Sequence, residues 1–308
     1  MPARASAGPA FACAKLAFPW GETWPKPGEA VKLTVTLGDV SATLSGVATN
    51  WSWPALRRGR LVVGVDGRAV SSASLEMPAG SHLPPRVPRG LVGLTTLAPS
   101  FWWQSSPKTT PANEPLCVAR FAGPETAVLV GLYTFGAHCC TWLDAYPVLD
   151  GRAGPVPVEQ DMSNPGASLY QSGPNALVVT ADNAFAYRFS SYAGSGMPVR
   201  ALELRGRQFV NVTREHLGLV AAEVPHWWRN YLGNYSLKTL PPGNGLGILA
   251  ALVADQCELG KGTEAWATVA KLEAEGKLAG NMAGTSQRGP MYVKALKAFL
   301  ASRGYCAP

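Results

Sequence analysis

The chain has 308 residues, of which 47% are hydrophobic and 15% are charged, and its formal net charge is +7. This balance excludes a largely disordered protein, because disorder requires few apolar residues and many charges. The length allows two or three domains, and the sequence contains no run of 18 apolar residues, so no transmembrane segment is predicted.

The first 25 residues are rich in proline, alanine and glycine and are predicted to form an extended lead-in. They lack the apolar core of a signal peptide, so an exported protein would already have lost that peptide. Residues 26–110 are predicted to form a β-sandwich-like domain, because short alternating segments are separated by turn signals. One such turn, Asp66-Gly67, suits positive φ between two strands.

Residues 111–235 contain an internal repeat. The segment Gly123–Val130 recurs fifty residues later as Gly173–Thr180, and each copy is followed by a hairpin turn, Asp150-Gly151 in the first and Gly206-Arg207 in the second. Strand-built repeats of this length are typical of propeller blades. Two copies are too few to close a propeller, so a partial-propeller-like β domain is predicted.

Residues 236–308 differ from the preceding β-rich segments and are predicted to form three short amphipathic helices. The first covers 246–257, the second has Thr263 as its N-cap and Gly276 at its end, and the third begins at Pro290 and ends at Gly304. The predicted fold class is therefore mainly β, with a small C-terminal α-helical cap.

The cysteine content favours disulfides. The chain has an even number of cysteines, no Cys-x-x-Cys pair and only four histidines, which suits three bridges in an exported protein better than a zinc site. A bridge is expected between the first and last predicted helices, and Cys117 and Cys13 are natural partners for the adjacent Cys139 and Cys140. The six disulfide candidates are Cys13, Cys117, Cys139, Cys140, Cys257 and Cys306.

The His138-Cys139-Cys140 segment follows a probable strand and leaves three interpretations open. Adjacent residues on a strand point to opposite faces, which favours structural bridges to two remote cysteines. A strained bond between the two neighbours is the second interpretation, since adjacent Cα atoms lie closer together than most disulfides need. A chemical role, as a thiolate nucleophile or a soft-metal ligand, is the third.

A second candidate site is aromatic. Trp51 and Trp53 would share one face of a strand and could stack on a sugar or a base, beside Arg57, Arg58 and Arg60. The alternative is that these tryptophans pack in the core, as large aromatics usually do.

No catalytic residue, metal ligand or cofactor site is predicted. Asp182 could pair with Arg188 or end a strand, but no second acid lies near it in the sequence to complete an acid–base pair. The sequence contains no nucleophile elbow, P-loop, HExxH or GxGxxG pattern.

A family resemblance rests on Leu129–Thr141, which ends in Phe-Gly-Ala-His-Cys-Cys-Thr, and on the later segments 181–199 and 207–213. These segments resemble exported actinobacterial proteins with FG-GAP or VCBS repeats, which are integrin-like propeller units. The similarity is clearest over about residues 115–235. It implies propeller-related ancestry and an extracellular setting, but no assigned activity.

One departure from that family matters. Calcium-binding FG-GAP units use an Asp-x-Asp-Gly-Asp-Gly loop, because Ca²⁺ needs several oxygen ligands in a short turn. The corresponding segments here are 120–125 and 171–175, and neither supplies those oxygens. We therefore expect that the fold was kept and the calcium was lost.

These observations predict a non-enzymatic, disulfide-stabilised binding or scaffold protein that is secreted or held at the cell envelope. Its expected partner is a glycan or another envelope polymer, with no specific nucleic acid. Two alternatives stay open: an enzyme acting on wall glycans or peptides, and a self-assembling surface or virion component. The oligomeric state and the ligand do not follow from the sequence.

Overall fold

A computed structural model of the chain divides into two compact units. Unit 1 comprises Met1–Thr180 and Leu202–Asn211, and unit 2 comprises Ala181–Ala201 and Val212–Pro308. The structure describes residues 8–16, 25–49, 54–78, 81, 87, 90–95, 97, 113–123, 125–136, 140–163, 165–236, 244–278 and 290–306.

Fifteen strands lie in the described part of the chain, and they form two sheets. The strands of the larger sheet are β1 (Phe11–Leu16), β2 (Ala30–Leu37), β3 (Val40–Ala48), β4 (Ala55–Val65), β5 (Arg68–Ser74), β6 (Leu91–Leu94), β7 (Asn113–Arg120), β8 (Thr126–Tyr133), β9 (Thr141–Leu149), β10 (Arg152–Ala153) and β11 (Val158–Ser163). The smaller sheet contains β12 (Ser168–Ser172), β13 (Asn175–Ala181), β14 (Val199–Arg205) and β15 (Gln208–Asn211).

The larger sheet nearly closes into a barrel. Its main path runs β1-β7-β8-β6-β4-β3-β2, and β2 lies close to β1 at the other end of that path. An apolar cluster that includes Leu33, Leu44, Leu61 and Val130 lies on its inner face. In β2 the alternating sequence puts Val31, Leu33, Val35 and Leu37 inside and leaves Lys32 and the threonines outside, as period-two alternation requires.

Strands β7 to β9 are buried on both faces. Val128 and Val130 belong to the inner cluster, whereas Ala127 and Leu129 belong to a second cluster that includes residues of the smaller sheet. This double burial explains why β8 is a continuous apolar run without polar alternation.

The mainly β fold class with C-terminal helices is confirmed, but the predicted domain boundaries are not those of the two units. Strands β2–β6, expected in a sandwich, and β7–β9, expected in the first repeat, share one sheet. Each copy of the repeat contains a hairpin, β7–β8 or β12–β13, and a later turn with a positive-φ glycine, Gly151 or Gly206. The propeller-related ancestry stays a prediction.

Four α-helices lie in the described residues of unit 2, and the sequence predicted three of them. The bounds are α1 Leu217–Ser236, α2 Asn244–Glu258, α3 Gly262–Ala274 and α4 Pro290–Ser302. The first was missed because Pro225 lies inside it, and proline is ordinarily taken to interrupt a helix.

Helices α2, α3 and α4 end in the same way. Gly260, Gly276 and Gly304 each have a positive φ. The N–H of the following residue donates to a carbonyl in the last turn, as Lys277 does to Leu272 at 2.8 Å. The predicted ends at Gly276 and Gly304 are therefore confirmed, whereas the predicted N-cap is wrong: α3 starts at Gly262, and Lys261 is its N-cap.

Two disulfides are fully described. Cys257 and Cys306 form the expected bridge between α2 and the end of α4. Cys13 is bonded to Cys117, because β1 pairs with β7 and places the two residues directly opposite each other. The expectation that Cys13 and Cys117 bridge to the Cys139-Cys140 pair is therefore wrong.

Replacing Cys257 and Cys306 together by alanine should lower the free energy of unfolding of unit 2 by about 4 kcal/mol, because the bridge closes a loop with a sequence separation of 49. Circular dichroism at 222 nm during denaturant unfolding reports this loss, since all the described α-helices belong to unit 2. Ala301→Ser, an exposed change on α4, is the control and should cost under about 1 kcal/mol. Equal midpoints for the two variants would contradict a stabilising role of the bridge.

Candidate functional site

The outer side of strands β2–β5 is basic. These four strands contain no aspartate or glutamate, and the acidic residues Asp39 and Asp66 lie in the turns between them. We call the outward-facing surface of these strands the basic face. Lys32, Arg57 and Arg60 lie on it, and the other exposed cationic residues of the four strands are Arg58 and Arg68.

A β-bulge lies in the arginine cluster of β4 and brings Arg57 and Arg60 to one side of the sheet. Ser45 pairs with Arg60 and Val47 with Arg57, so Arg58 and Gly59 together face the single residue between them on β3. Arg58 has a φ of 54°, in the left-handed region. Without the extra residue, Arg57 and Arg60 would point to opposite faces. The bulge therefore places Arg57 and Arg60 on the same, outer face, and Arg58, within the bulge itself, is also exposed.

Hydroxyl groups surround these cations. The Nε of Arg60 donates to the Oγ of Ser72 at 2.9 Å, and the hydroxyls of Thr34 and Thr43 lie 3.1 Å apart across β2 and β3. Lys32, Ser45 and Arg60 occupy one cross-strand row. Trp51 and Trp53, the aromatic part of the predicted site, lie outside the described residues.

Of the His138-Cys139-Cys140 segment, the structure describes Cys140 alone, because His138 and Cys139 lie outside the described part of the chain. Cys140 is buried and disulfide-bonded, and its carbonyl accepts a hydrogen bond from the Thr134 N–H at 2.8 Å. Strand β9 begins at Thr141, so the alternation argument, which assumed a strand, does not hold for Cys140.

Unit 2 contains a cleft of about 710 Å³ at the junction of α2, α3 and the C-terminal end of α4. Its wall includes the Cys257–Cys306 bridge, Arg214, Glu258 and Trp266. The first residues of α3, Gly262 and Thr263, also line this space, which we call the α3 cleft. This cleft could not be predicted from the sequence, because the residues that line it are spread between positions 214 and 306.

The Glu258 carboxylate is nine-tenths buried at the wall of the α3 cleft. Its Oε1 lies 3.9 Å from the Nε of Arg214, and its Oε2 has no hydrogen-bond partner among the described groups. Burial raises the pKa of Glu258 above its ordinary value, and the positive charges of Arg214 and Arg200 offset part of that rise.

Asp182 lies at the centre of a buried polar cluster, which we call the Asp182 hub. Its carboxylate accepts hydrogen bonds from Arg200 at 2.7 Å, Arg303 at 3.1 Å and the Tyr305 hydroxyl at 3.1 Å. It also caps a 3₁₀ turn through the Ala184 N–H. The prediction that Asp182 ends a strand is thus correct, because β13 stops at Ala181. The alternative prediction, a pair with Arg188, is wrong, since the Arg188 guanidinium lies over the Phe299 ring.

Two buried acids form a second polar group between α1 and α2. The Oε2 of Glu223 accepts from the Val199 N–H at 2.8 Å, and the Oδ2 of Asp255 accepts from the Trp227 Nε1 at 2.8 Å. The two carboxyl groups are near enough that the charge of Glu223 raises the pKa of Asp255 further, beyond the effect of burial.

Burial raises the pKa of Glu223 to about 8, and it raises the pKa of Asp255 well above its ordinary value. In unit 1, Asp144 is a third buried acid, which faces Glu159 across β9 and β11. Burial, with a smaller contribution from the Glu159 charge, raises the pKa of Asp144 to about 7. The sequence did not single out any of these acids.

No group of three or more metal-ligating side chains occurs among the described residues. At the two segments compared with calcium loops, the polar side chains bond to the protein itself. The Oε1 of Glu125 accepts from the Gly206 N–H at 2.7 Å, and the Gln171 amide donates to the Gly173 carbonyl at 3.2 Å. Among the described helices, none combines the length and apolar character that crossing a bilayer requires.

The fold and these surfaces define a mainly β protein with disulfide bonds and a helical C-terminal part. Residues 232–304 match the family described as the sll0997 C-terminal domain. The chain is 30% identical over 213 residues to a Synechocystis sp. protein named Probable thylakoid lumen protein sll0997. The match covers 59% of this chain and 57% of that relative, so the chain spans little more than half the relative's length. No solved structure matches the chain.

Proposed function

We propose that this protein is a non-enzymatic, extracytoplasmic binding protein that holds an anionic polysaccharide on the basic face. The extracytoplasmic setting is supported by the two described disulfides, which form and persist in oxidising compartments. The name of the Synechocystis relative, a probable thylakoid lumen protein, also supports it, because the thylakoid lumen lies outside the cytoplasm.

The observation that carries the proposal is the charge pattern of β2–β5. Five exposed cations lie on strands that contain no carboxylate, so these strands attract a polyanion and do not repel it. The bulge at Arg58 strains the backbone, and it also places Arg57 and Arg60 on one face. The hydroxyls of Thr34, Thr43 and Ser72 add hydrogen-bonding groups suited to a sugar.

The test is binding of dextran sulfate, with neutral dextran as the comparison polymer. The triple variant Arg57→Gln, Arg58→Gln and Arg60→Gln should bind dextran sulfate roughly tenfold to a hundredfold more weakly. Its affinity should also depend less steeply on salt, because three ionic contacts with their counterion release are lost. Fluorescence titration at two or more salt concentrations measures both quantities.

The matched control removes the same net charge at exposed positions elsewhere: Arg152→Gln, Lys271→Gln and Lys294→Gln. This variant should lose no more than about threefold in affinity, since only the general charge of the protein has changed. Equal losses in the two variants would show that net charge, and not the basic face, binds the polymer. Equal binding of dextran sulfate and neutral dextran would also reject the proposal.

A further inference from the structure

The Cys257–Cys306 disulfide is open to the α3 cleft. Both cysteines line this space and both are half-buried. The Cys13–Cys117 disulfide of unit 1 is placed differently, because Cys117 is fully buried in an apolar cluster and Cys13 packs against that cluster. In thiol–disulfide exchange a thiolate must reach a sulfur atom, so access decides which bridge reacts first. Of the two described bridges, Cys257–Cys306 is therefore the more accessible.

Gly262, the first residue of α3, leaves one side of the Cys257 sulfur uncovered. Among the described groups beyond its chain neighbours, a Cβ built at Gly262 would meet the Cys257 Sγ alone, at 3.5 Å. The space beside this sulfur is thus unfilled on the side of the cleft. Arg214 lines the same cleft with a side chain that is 68% exposed, and its positive charge favours an approaching thiolate.

The bridge also fixes a short segment that serves the Asp182 hub. Residues 303–306 follow α4, and we call them the latch segment. Arg303 and Tyr305 of this segment each donate to the Asp182 carboxylate at 3.1 Å. Between them, the Gly304 carbonyl accepts from the Nη2 of Arg214 at 2.6 Å. One covalent bond and a few polar bonds therefore hold the segment, and each polar bond contributes little after the entropy of ordering is counted.

We propose that the Cys257–Cys306 disulfide is a redox latch, which a dithiol reductant opens through the α3 cleft. A thiolate of the reductant attacks the Sγ of Cys257, so a new S–S bond forms and the Cys257–Cys306 bond breaks. The electron pair of the broken bond goes to the Cys306 sulfur, which takes up a proton. The second thiolate of the reductant attacks the mixed disulfide and releases Cys257, which is protonated in turn. The reductant loses two electrons and becomes a disulfide.

Opening the latch releases the latch segment from the Asp182 hub while the helices of unit 2 stay folded. Without the covalent bond, Arg303 and Tyr305 are held at Asp182 by hydrogen bonds alone, and residues at the end of an element then open locally. The device lies in unit 2 and is independent of the polysaccharide binding proposed for unit 1.

The test treats the natural protein with dithiothreitol, blocks free thiols with an alkylating reagent at timed intervals, and follows each bridge by peptide mass spectrometry. Cys257–Cys306 should be reduced at least about tenfold faster than Cys13–Cys117, because its sulfur atoms are accessible. In the reduced protein the Tyr305 amide, which donates to the Leu300 carbonyl, should exchange its hydrogen at least about tenfold faster. The circular dichroism signal at 222 nm should be retained meanwhile.

Variants locate the attacked sulfur. Gly262→Ala should slow reduction of Cys257–Cys306 about threefold to tenfold, because the added methyl group lies against the Cys257 Sγ. Gly218→Ala on α1 is the matched control and should leave the rate unchanged, since a Cβ there meets no described atom within 4 Å. Equal rates for the two variants, or for the two bridges, would overturn the proposal. Reduction that leaves Tyr305 exchange unchanged, or that occurs together with loss of the 222 nm signal, would overturn it too.

Discussion

Replacing Asp182 by alanine is expected to lower the free energy of unfolding of unit 2 by about 3–5 kcal/mol. Removing one partner of a buried ion pair leaves the other charges uncompensated, and here two arginines depend on the same carboxylate. Burial and the Asp182 charge raise the pKa of Tyr305, which therefore stays a neutral donor and also loses its acceptor.

Thermal and denaturant unfolding followed at 222 nm measure this effect on the helices of unit 2. Glu264→Ala is the matched control, because it removes an exposed carboxylate from α3 and should cost no more than about 1 kcal/mol. Asp182→Asn should lie between the two, since the amide oxygen still accepts hydrogen bonds but carries no charge. If Asp182→Ala is no more destabilising than Glu264→Ala, the hub does not stabilise unit 2.

The stability of unit 2 is expected to fall as the pH rises from about 4.5, the ordinary pKa of glutamate, to about 8, the pKa of Glu223 in the folded protein. In this range the folded state holds a proton that the unfolded state has lost, so each rise in pH favours unfolding. The contribution is complete at acidic pH and is lost as the pH passes the folded pKa. Its size is on the order of 4 kcal/mol.

Glu223→Gln should flatten this pH dependence. The glutamine amide oxygen can still accept from the Val199 N–H, and the amide has no proton to lose in this pH range. The variant should therefore be more stable than the natural protein at pH 8 and similar to it near pH 4.5. The melting temperature of the 222 nm signal across this range is the measurement.

Glu264→Gln, which changes an exposed acid on α3, should keep the pH dependence of the natural protein. The buried Asp144 acts in the same direction, but it belongs to unit 1 and contributes to the melting of the β-sheets. A slope that Glu223→Gln leaves unchanged would show that Glu223 is not the group that holds a proton in the folded protein over this pH range.

Local backbone chemistry was readable from the sequence. The Asp66-Gly67 turn has positive φ at both residues, as its composition predicts, and the glycines after α3 and α4 end those helices. Such turns and helix ends depend on a few neighbouring residues, so a short stretch of sequence is enough to predict them. The Cys257–Cys306 bridge was also accessible, because both residues lie at the ends of recognisable helices.

The basic face was predicted in part. Arg57, Arg58 and Arg60 stood out as a cluster, but strand alternation alone would divide them between two faces. The bulge that brings Arg57 and Arg60 to one face is a mismatch between β3 and β4, and it exists only once those strands are paired.

The sequence by itself determined the class of the fold, many of its turns and helix ends, and the Cys257–Cys306 disulfide of the helical part. The tertiary structure alone decided that the strands of two predicted domains share one sheet, and that Asp182 meets Arg200, Arg303 and Tyr305. The physical reason is distance along the chain: turns are set by neighbouring residues, whereas contacts between residues that are far apart in the sequence, such as those of Asp182 with Arg303 and Tyr305, depend on how the whole core packs.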